Sequence, residues 1–404
     1  MKLRISDPVL ISMGPDARKA GWGPYQFPDL LVLDDGRLFC AFNDRPDSEV
    51  AYGTERRAFV SDDNGKTWQA VRESDYDLEN GLTTRSGDKL RFDEQKTIPL
   101  GELDLSTIAT TGKVGHIERK AQDFYLVEDI SRDICPDTWM LHRVKKGDTE
   151  ATIEPVTLNW PYQLIRCARG VLVPPQPQCR LRMGPDGRLW MPHYGVGMDP
   201  VTGEFHPHSA NYLFCSEDDG KTWNISHYLP FFPQNEVEET YEGYGENDIG
   251  FAPDGSLLRV IRTSGLYPRI NEPSRHGPSY IVHSDDGGKT WTDPELFDDR
   301  GVWPTLLTLD CGVTLCGYGR PGFFIRASFD PSCRKWEDRI EIVPSTGGPE
   351  PYVGHVVTKA TCSYCDLKAI DSHTAGLVYS DFTIPDENGD PRKCMMFRTI
   401  TVEE

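Results

Sequence analysis

An eight-residue turn recurs along the chain. It reads SDDNGKTW at Ser61 to Trp68, SEDDGKTW at Ser216 to Trp223 and SDDGGKTW at Ser284 to Trp291, with a degenerate copy, SFDPSCRKW, at Ser328 to Trp336. One short element repeated across 404 residues is the signature of a repeat architecture, and it restricts the fold more than any other feature here. Each copy follows a run rich in aromatic and β-branched residues, RRAFV, NYLFC, SYIVH or FFIRA, so the octet reads as a turn at the end of a strand. A calcium loop beginning at Asp285 is the chemical alternative. It would need oxygen ligands at alternating positions and a closing glutamate, but the octet offers Gly287, Lys289 and no closing carboxylate. A structural clasp accounts for every position: Asp accepts backbone N–H groups, Ser and Thr satisfy their neighbours, Gly supplies positive φ, and Trp covers apolar surface.

A second repeated element is an Asp-Gly turn between apolar runs, in LLVLDDGRLFCAF, LRMGPDGRLWMPH and IGFAPDGSLLRVI. Such turns are strong hairpin signals. No stretch keeps a helical period, and 31 prolines and 37 glycines punctuate the chain, so a succession of antiparallel hairpins forming propeller blades is expected. Residues 70 to 165 lack an octet; there DFYLVEDI and DTWMLHRVKK are expected to pair in a blade without a clasp. The C-terminal run KCMMFRTITV is expected to pair with the N-terminal MKLRISDPVLIS, closing the ring and protecting both edges.

The formal charge of -20 argues against a nucleic acid partner, which requires Lys and Arg to neutralise phosphates. No apolar run approaches the roughly 20 residues of a membrane helix, and the N-terminus lacks the apolar core of a secretory signal. Eleven cysteines, an odd number, suit reduced thiols better than a disulfide framework, so a cytoplasmic location without a membrane partner is expected.

The pattern Ser-x-Asp-x-Gly-x-Thr-Trp resembles the Asp-box, or BNR repeat, of the sialidase (neuraminidase) superfamily. That resemblance implies an all-β, six-bladed propeller of four-stranded blades spanning 1–404 as one domain, with the Asp-boxes at the periphery. It also implies an exo-acting glycosidase that removes a terminal acidic sugar. Three arginines grip the sugar carboxylate, a tyrosine partnered by a glutamate is the nucleophile, and an aspartate is the general acid. A phenol suits an anomeric carbon that bears a carboxylate, because it approaches without the repulsion a charged nucleophile meets. No cofactor or metal is needed, and the partner is a carbohydrate.

The family motifs map onto this chain one by one. ENDIGFAPDGSLLRVIR places Glu246 as the base and Arg262 as one arginine; GRPGFFIRAS offers Arg320, with Arg326 second. SYCDLKAIDSHTAGLVYSDF puts Tyr364 at the nucleophile position, with Tyr352 the nearest competitor. The remaining family arginine falls on Gln26 in YQFPDLL, a departure that replaces a charge-assisted contact with a neutral amide. Arg45, Arg166, Arg169 and Arg180 are candidates to restore that charge, and Asp47 and Glu49 are the carboxylates available as general acid. CSYC at Cys362 to Cys365 reads as buried strand cysteines. The segments PHYGVGMDPVTGEFHPH, with His193, His206 and His208, and TSGLYPRINEPSRHG read as loops between hairpins at a pocket mouth. Two rival functions remain: a related enzyme acting on a non-sialic sugar by other chemistry, and a carbohydrate-binding propeller without catalysis, which has no reason to keep Tyr364 beside Glu246.

Overall fold

The computed structural model describes residues 1–404 except 47–54, 78–80, 94–96, 103–104, 106–107, 109, 115–121, 133–134, 136–137, 169, 175–176, 178, 265–276 and 346–359. Regular structure among the described residues is strand, with only short 3-10 turns besides. The three Asp-Gly sequences between apolar runs each turn a hairpin: Gly36 N donates to Leu33 O and Leu33 N to Arg37 O, and the same pair of bonds closes Gly184 to Arg188 and Ala252 to Ser256. Gly36, Gly187 and Gly255 all take positive φ there, which is why the turn needs glycine.

The strands pair antiparallel, except that Thr157–Asn159 runs parallel to Thr222–Leu229 and the Ser209 to Gly243 bridge is parallel. One holds Gln26–Val32, Leu38–Asn43, Arg57–Ser61 and Gln69–Arg72 in that order, and another Val302–Thr308, Thr314–Gly319, Phe323–Ser328 and Ile340–Val343. Between them in sequence, Arg182–Met183 to Thr222–Leu229 and Gly243–Phe251 to Glu295–Asp298 form two four-stranded groups, merged by the bridge Ser209 to Gly243. The first strands stand side by side: Gly243–Phe251 packs on Val302–Thr308, that on Cys365–Ala369, and that on Gln26–Val32. This inner row carries the residues of interest.

Pairing of the chain ends follows the sequence expectation. The C-terminal strand Pro391–Glu403 lies between Thr374–Pro385 and the N-terminal strands, with Leu3 opposite Val402 and Leu10 opposite Met396. Residues 70 to 165 differ from expectation. Gln122–Leu126 of DFYLVEDI joins a separate sheet with Leu164–Ala168, whereas Met140–Val144 of DTWMLHRVKK pairs with Lys89–Phe92 and Thr152–Pro155. Each run finds a partner that buries its own apolar face: Tyr125 packs with Ile165 and Leu172, and Leu141 with Leu90 and Trp139.

All the octets are clasps. In the first, Ser61 Oγ donates to Asp63 Oδ1 (2.9 Å) and accepts Gly65 N (2.8 Å). Thr67 gives both its hydroxyl and its amide to the Asp63 carboxylate. Those contacts hold the Asp63 carboxyl at about 2. Trp68 Nε1 caps Gly65 O, and the second and third copies repeat the arrangement. In the degenerate copy Cys333 takes the positive φ that glycine takes elsewhere, and Trp336 still caps its carbonyl. The second aspartate makes the clasp, whereas Asp285 is exposed and pairs with Arg334 of the next copy.

The segment with three histidines is a hairpin rather than a loop. Leu189–Met198 pairs with Phe205–Ser216, and Asp199 turns the chain by accepting the amides of Val201 and Thr202. His193 lies buried among Trp139, Trp160 and Phe214, and burial pushes its imidazole down to about 3. The native ring refuses the proton that the unfolded chain takes up below about 6.5, so stability falls as pH drops from there until the native ring titrates near 3. The melting temperature is expected to fall over that interval, and His193→Phe to flatten part of the slope in a pH series of thermal melts. TSGLYPRINEPSRHG lies almost wholly outside the described residues.

Candidate active site

Glu246 enters from the strand Gly243–Phe251 and Tyr364 from the residue before Cys365–Ala369. Tyr364 Oη donates to Glu246 Oε1 at 3.3 Å, and both side chains are buried. Arg262, on the strand paired with that of Glu246, makes a close ion pair through Nη1 to Glu246 Oε2. Arg320 lies over the Tyr364 ring, 5.3 Å from guanidinium carbon to centroid, and over Trp22 at 4.9 Å, while its Nη2 donates to Cys362 O at 2.7 Å. Four residues from three motifs, spread over more than a hundred positions, thus meet at one point.

The electrostatics follow from this packing. Burial and the charge of Glu246 push the Tyr364 phenol well above its usual range, with Arg320 and Arg262 pulling the other way. The phenol therefore stays protonated at neutral pH and needs a base to become a nucleophile; Glu246 is the carboxylate in contact. Arg320 is 4% exposed, and no carboxylate pairs with it among the described residues. A buried cation without an anion is costly, and an anionic ligand over Tyr364 would offset that cost.

The other expected residues do not join this contact as direct partners among the described residues. Gln26 is completely buried, and neither amide atom has a hydrogen-bond partner among the described residues. Arg45 is exposed beside Asp44, so it does not join the buried group. Arg180 lines a small pocket with Cys179, Glu246, Asn247, Asp248, Trp303 and Pro304, but its terminal Nη donors go to protein acceptors. Arg326 reaches the carbonyls of Phe297, Trp336 and Glu337, apart from the site. Asp47, Glu49, Tyr352 and Arg169 lie outside the described residues. Cys362 and Cys365 are free buried thiols, and Cys365 opens the strand Cys365–Ala369 whereas Cys362 precedes it, outside the strand expected for both.

Sequence reasoning passed over an aromatic box around Tyr364. Phe27 stands 4.4 Å from its ring, Trp303 5.3 Å and Trp22 6.2 Å, centroid to centroid. A signal for two of these was present: FPDLL at Phe27 and WPTLL at Trp303 share one aromatic-Pro-x-Leu-Leu pattern. Phe27, Trp303, Arg320 and Ser363 all have φ between 50° and 66°, a region costly for residues with a Cβ. Strained backbone gathers at this site and in the clasps, in keeping with the tendency of such strain to mark functional positions. Tyr194 is a further neighbour, its phenol raised by burial and by Glu246.

Comparison with known proteins adds the following. The BNR/Asp-box repeat family matches residues 59–70. No curated protein matches the chain. Among solved structures, a protein of unknown function from Dyadobacter fermentans is 18% identical over 99% of both chains, with a TM-score of 0.59. An alpha-L-arabinanase of Penicillium chrysogenum, complexed with arabinobiose, is 12% identical over 98% of both chains with a TM-score of 0.48. A Streptococcus pneumoniae sialidase is 15% identical over 97% of this chain and 70% of its own, also at 0.48. At these identities the likeness is one of fold. The BNR/Asp-box repeat at residues 59–70 and the fold shared with the Dyadobacter fermentans protein make the chain similar to the Asp-box proteins that its octets resemble.

Proposed function

We propose that the protein is an exo-acting glycoside hydrolase that removes a terminal acidic sugar at the Tyr364–Glu246 pair. The sheets are read as six blades around one axis, with the sheet containing Gln122–Leu126 and Leu164–Ala168 as an addition. The observation that carries the functional reading is the contact of Tyr364 Oη with Glu246 Oε1, flanked by Arg262 and Arg320. Tyr364 Oη attacks the anomeric carbon and its proton passes to Glu246. The bond to the leaving oxygen breaks as a carboxylic acid protonates it, a role for which Asp47 and Glu49 are the carboxylates the sequence offers. Water then attacks the anomeric carbon and gives a proton to the carboxylate that had protonated the leaving group, while the bond to tyrosine breaks and Glu246 returns its proton to the phenolic oxygen. Trp22, Phe27 and Trp303 shield the reacting atoms from solvent, which strengthens the electrostatic contacts around them.

The acidic character of the sugar rests on Arg320, whose buried guanidinium is placed to accept a carboxylate. Arg320→Met is expected to raise KM for a fluorogenic sialoside roughly 10- to 100-fold, the worth of a charge-assisted hydrogen bond. An unchanged KM would move the carboxylate elsewhere. A panel of fluorogenic glycosides is the wider test: turnover of an acidic-sugar glycoside supports the proposal. Turnover of neutral sugars alone would favour the non-sialic reading, and binding without any turnover the carbohydrate-binding one.

A further inference from the structure

Arg180 precedes the short strand Arg182–Met183 and stands beside Glu246 in the pocket wall. Its two terminal nitrogens are engaged by the protein. Nη1 donates to Thr305 Oγ1 at 3.1 Å, and Nη2 to Cys365 O at 2.8 Å and Pro28 O at 3.2 Å. Nε faces Asp366 Oδ1 at 3.3 Å, and the guanidinium plane lies over the Trp303 ring at 5.0 Å. Each of the three acceptors adjoins an aromatic residue of the box. Pro28 follows Phe27, Cys365 follows Tyr364, and Thr305 is two residues beyond Trp303. The strands that carry these three acceptors belong to three different sheets. Asp366 extends the tie, since its other oxygen accepts the amide of Leu30 at 2.9 Å.

We propose that Arg180 is a positioning residue: one guanidinium fixes the relative placement of the strands bearing Phe27, Trp303 and Tyr364, and so sets Tyr364 Oη against Glu246 without touching the sugar. Only a planar fork with donors in fixed directions reaches acceptors on three strands at once while stacking on an indole; an ammonium group cannot. Sequence reasoning offered Arg180 as a substitute cation for the sugar carboxylate. The geometry assigns its charge to Asp366 and its hydrogen bonds to the walls instead.

The kinetic part of this inference rests on the proposed role of the Tyr364–Glu246 pair; the geometric part does not. Crystal structures of Arg180→Met and Arg180→Lys are expected to keep the sheets while Tyr364 Oη moves out of hydrogen-bond reach of Glu246. An unchanged 3.3 Å contact in both variants would overturn the proposal whatever the protein's activity. In kinetics on an acidic-sugar glycoside and on its methyl ester, kcat is expected to fall about 100-fold on both, the scale of a 1 Å misplacement, with KM moving less than about threefold. A rise in KM confined to the acid would make Arg180 a carboxylate ligand and refute the positioning role. If the methionine variant does not fold, Thr305→Val removes a single tether; it should lower kcat about tenfold at constant KM, and an unaltered kcat counts against the proposal. If the wild-type protein turns over no glycoside, the proposed function fails, and the crystallographic contact still decides the case of Arg180.

Discussion

Tyr364→Phe is expected to lower kcat by at least about 10³-fold while leaving the melting temperature close to that of the parent, because loss of a nucleophile costs on that scale. The change deletes one hydroxyl whose partner is Glu246 Oε1 at 3.3 Å; the ring and its contacts with Phe27 and Trp303 persist. Burial and the charge of Glu246 hold the phenol protonated, so catalysis by Tyr364 depends on proton transfer to Glu246. Glu246→Gln should therefore depress kcat as well, and it leaves Arg262 in a buried place without its counter-ion. Its expected signature includes a loss of stability that Tyr364→Phe does not share. Full turnover by Tyr364→Phe would remove that residue from the nucleophile's role.

The second large effect concerns the chain ends. Deleting residues 391–404 is expected to abolish the cooperative thermal transition. The strand Pro391–Glu403 is hydrogen-bonded on one side to Thr374–Pro385 and on the other to Lys2–Ile5 and Val9–Asp16. Its Cys394, Met395, Met396, Phe397, Ile400 and Val402 are buried. At about 1.5–3 kcal/mol for each large apolar side chain, that burial alone rivals the 5–15 kcal/mol that holds an ordinary domain together. The deletion also exposes two strand edges, which invites aggregation. Circular dichroism during heating is the measurement, and a transition near that of the full chain would show that the ends fold independently of each other.

The residues that were legible in the sequence share a property: their signals are local. The octets reveal themselves because Ser61, Asp63, Gly65, Thr67 and Trp68 bond within a single turn. The Asp-Gly hairpins are local for the same reason. Glu246 and Arg262 could be paired in advance because they lie on two strands of one hairpin. What escaped was decided by long-range packing. Gln122–Leu126 finds its partner at Leu164–Ala168, beyond another complete hairpin, and strands this short carry too few residues for alternation to announce a register. The aromatic box escaped because Phe27 and Trp303 meet Tyr364 through positive-φ backbone, and propensity gives no warning of that in residues with a Cβ. Arg180 was visible as a cation, but its employment as a tie between strands depends on Pro28, Thr305 and Cys365 arriving at one place.

Gln26 keeps its interest after the structure. It holds the position where the family pattern has an arginine, and its buried amide meets no hydrogen-bond partner among the described residues. With Arg262 paired to Glu246, the balance of charge available to a sugar carboxylate falls to Arg320.

The central claim is that Tyr364 becomes covalently attached to a sugar during turnover. The most direct measurement is mass spectrometry of the protein after brief reaction with a difluorinated sialosyl fluoride, followed by proteolysis and peptide sequencing. The account predicts an added glycosyl mass on the peptide that contains Tyr364, absent from Tyr364→Phe. An adduct on any other residue, or steady hydrolysis with no adduct at all, would contradict it.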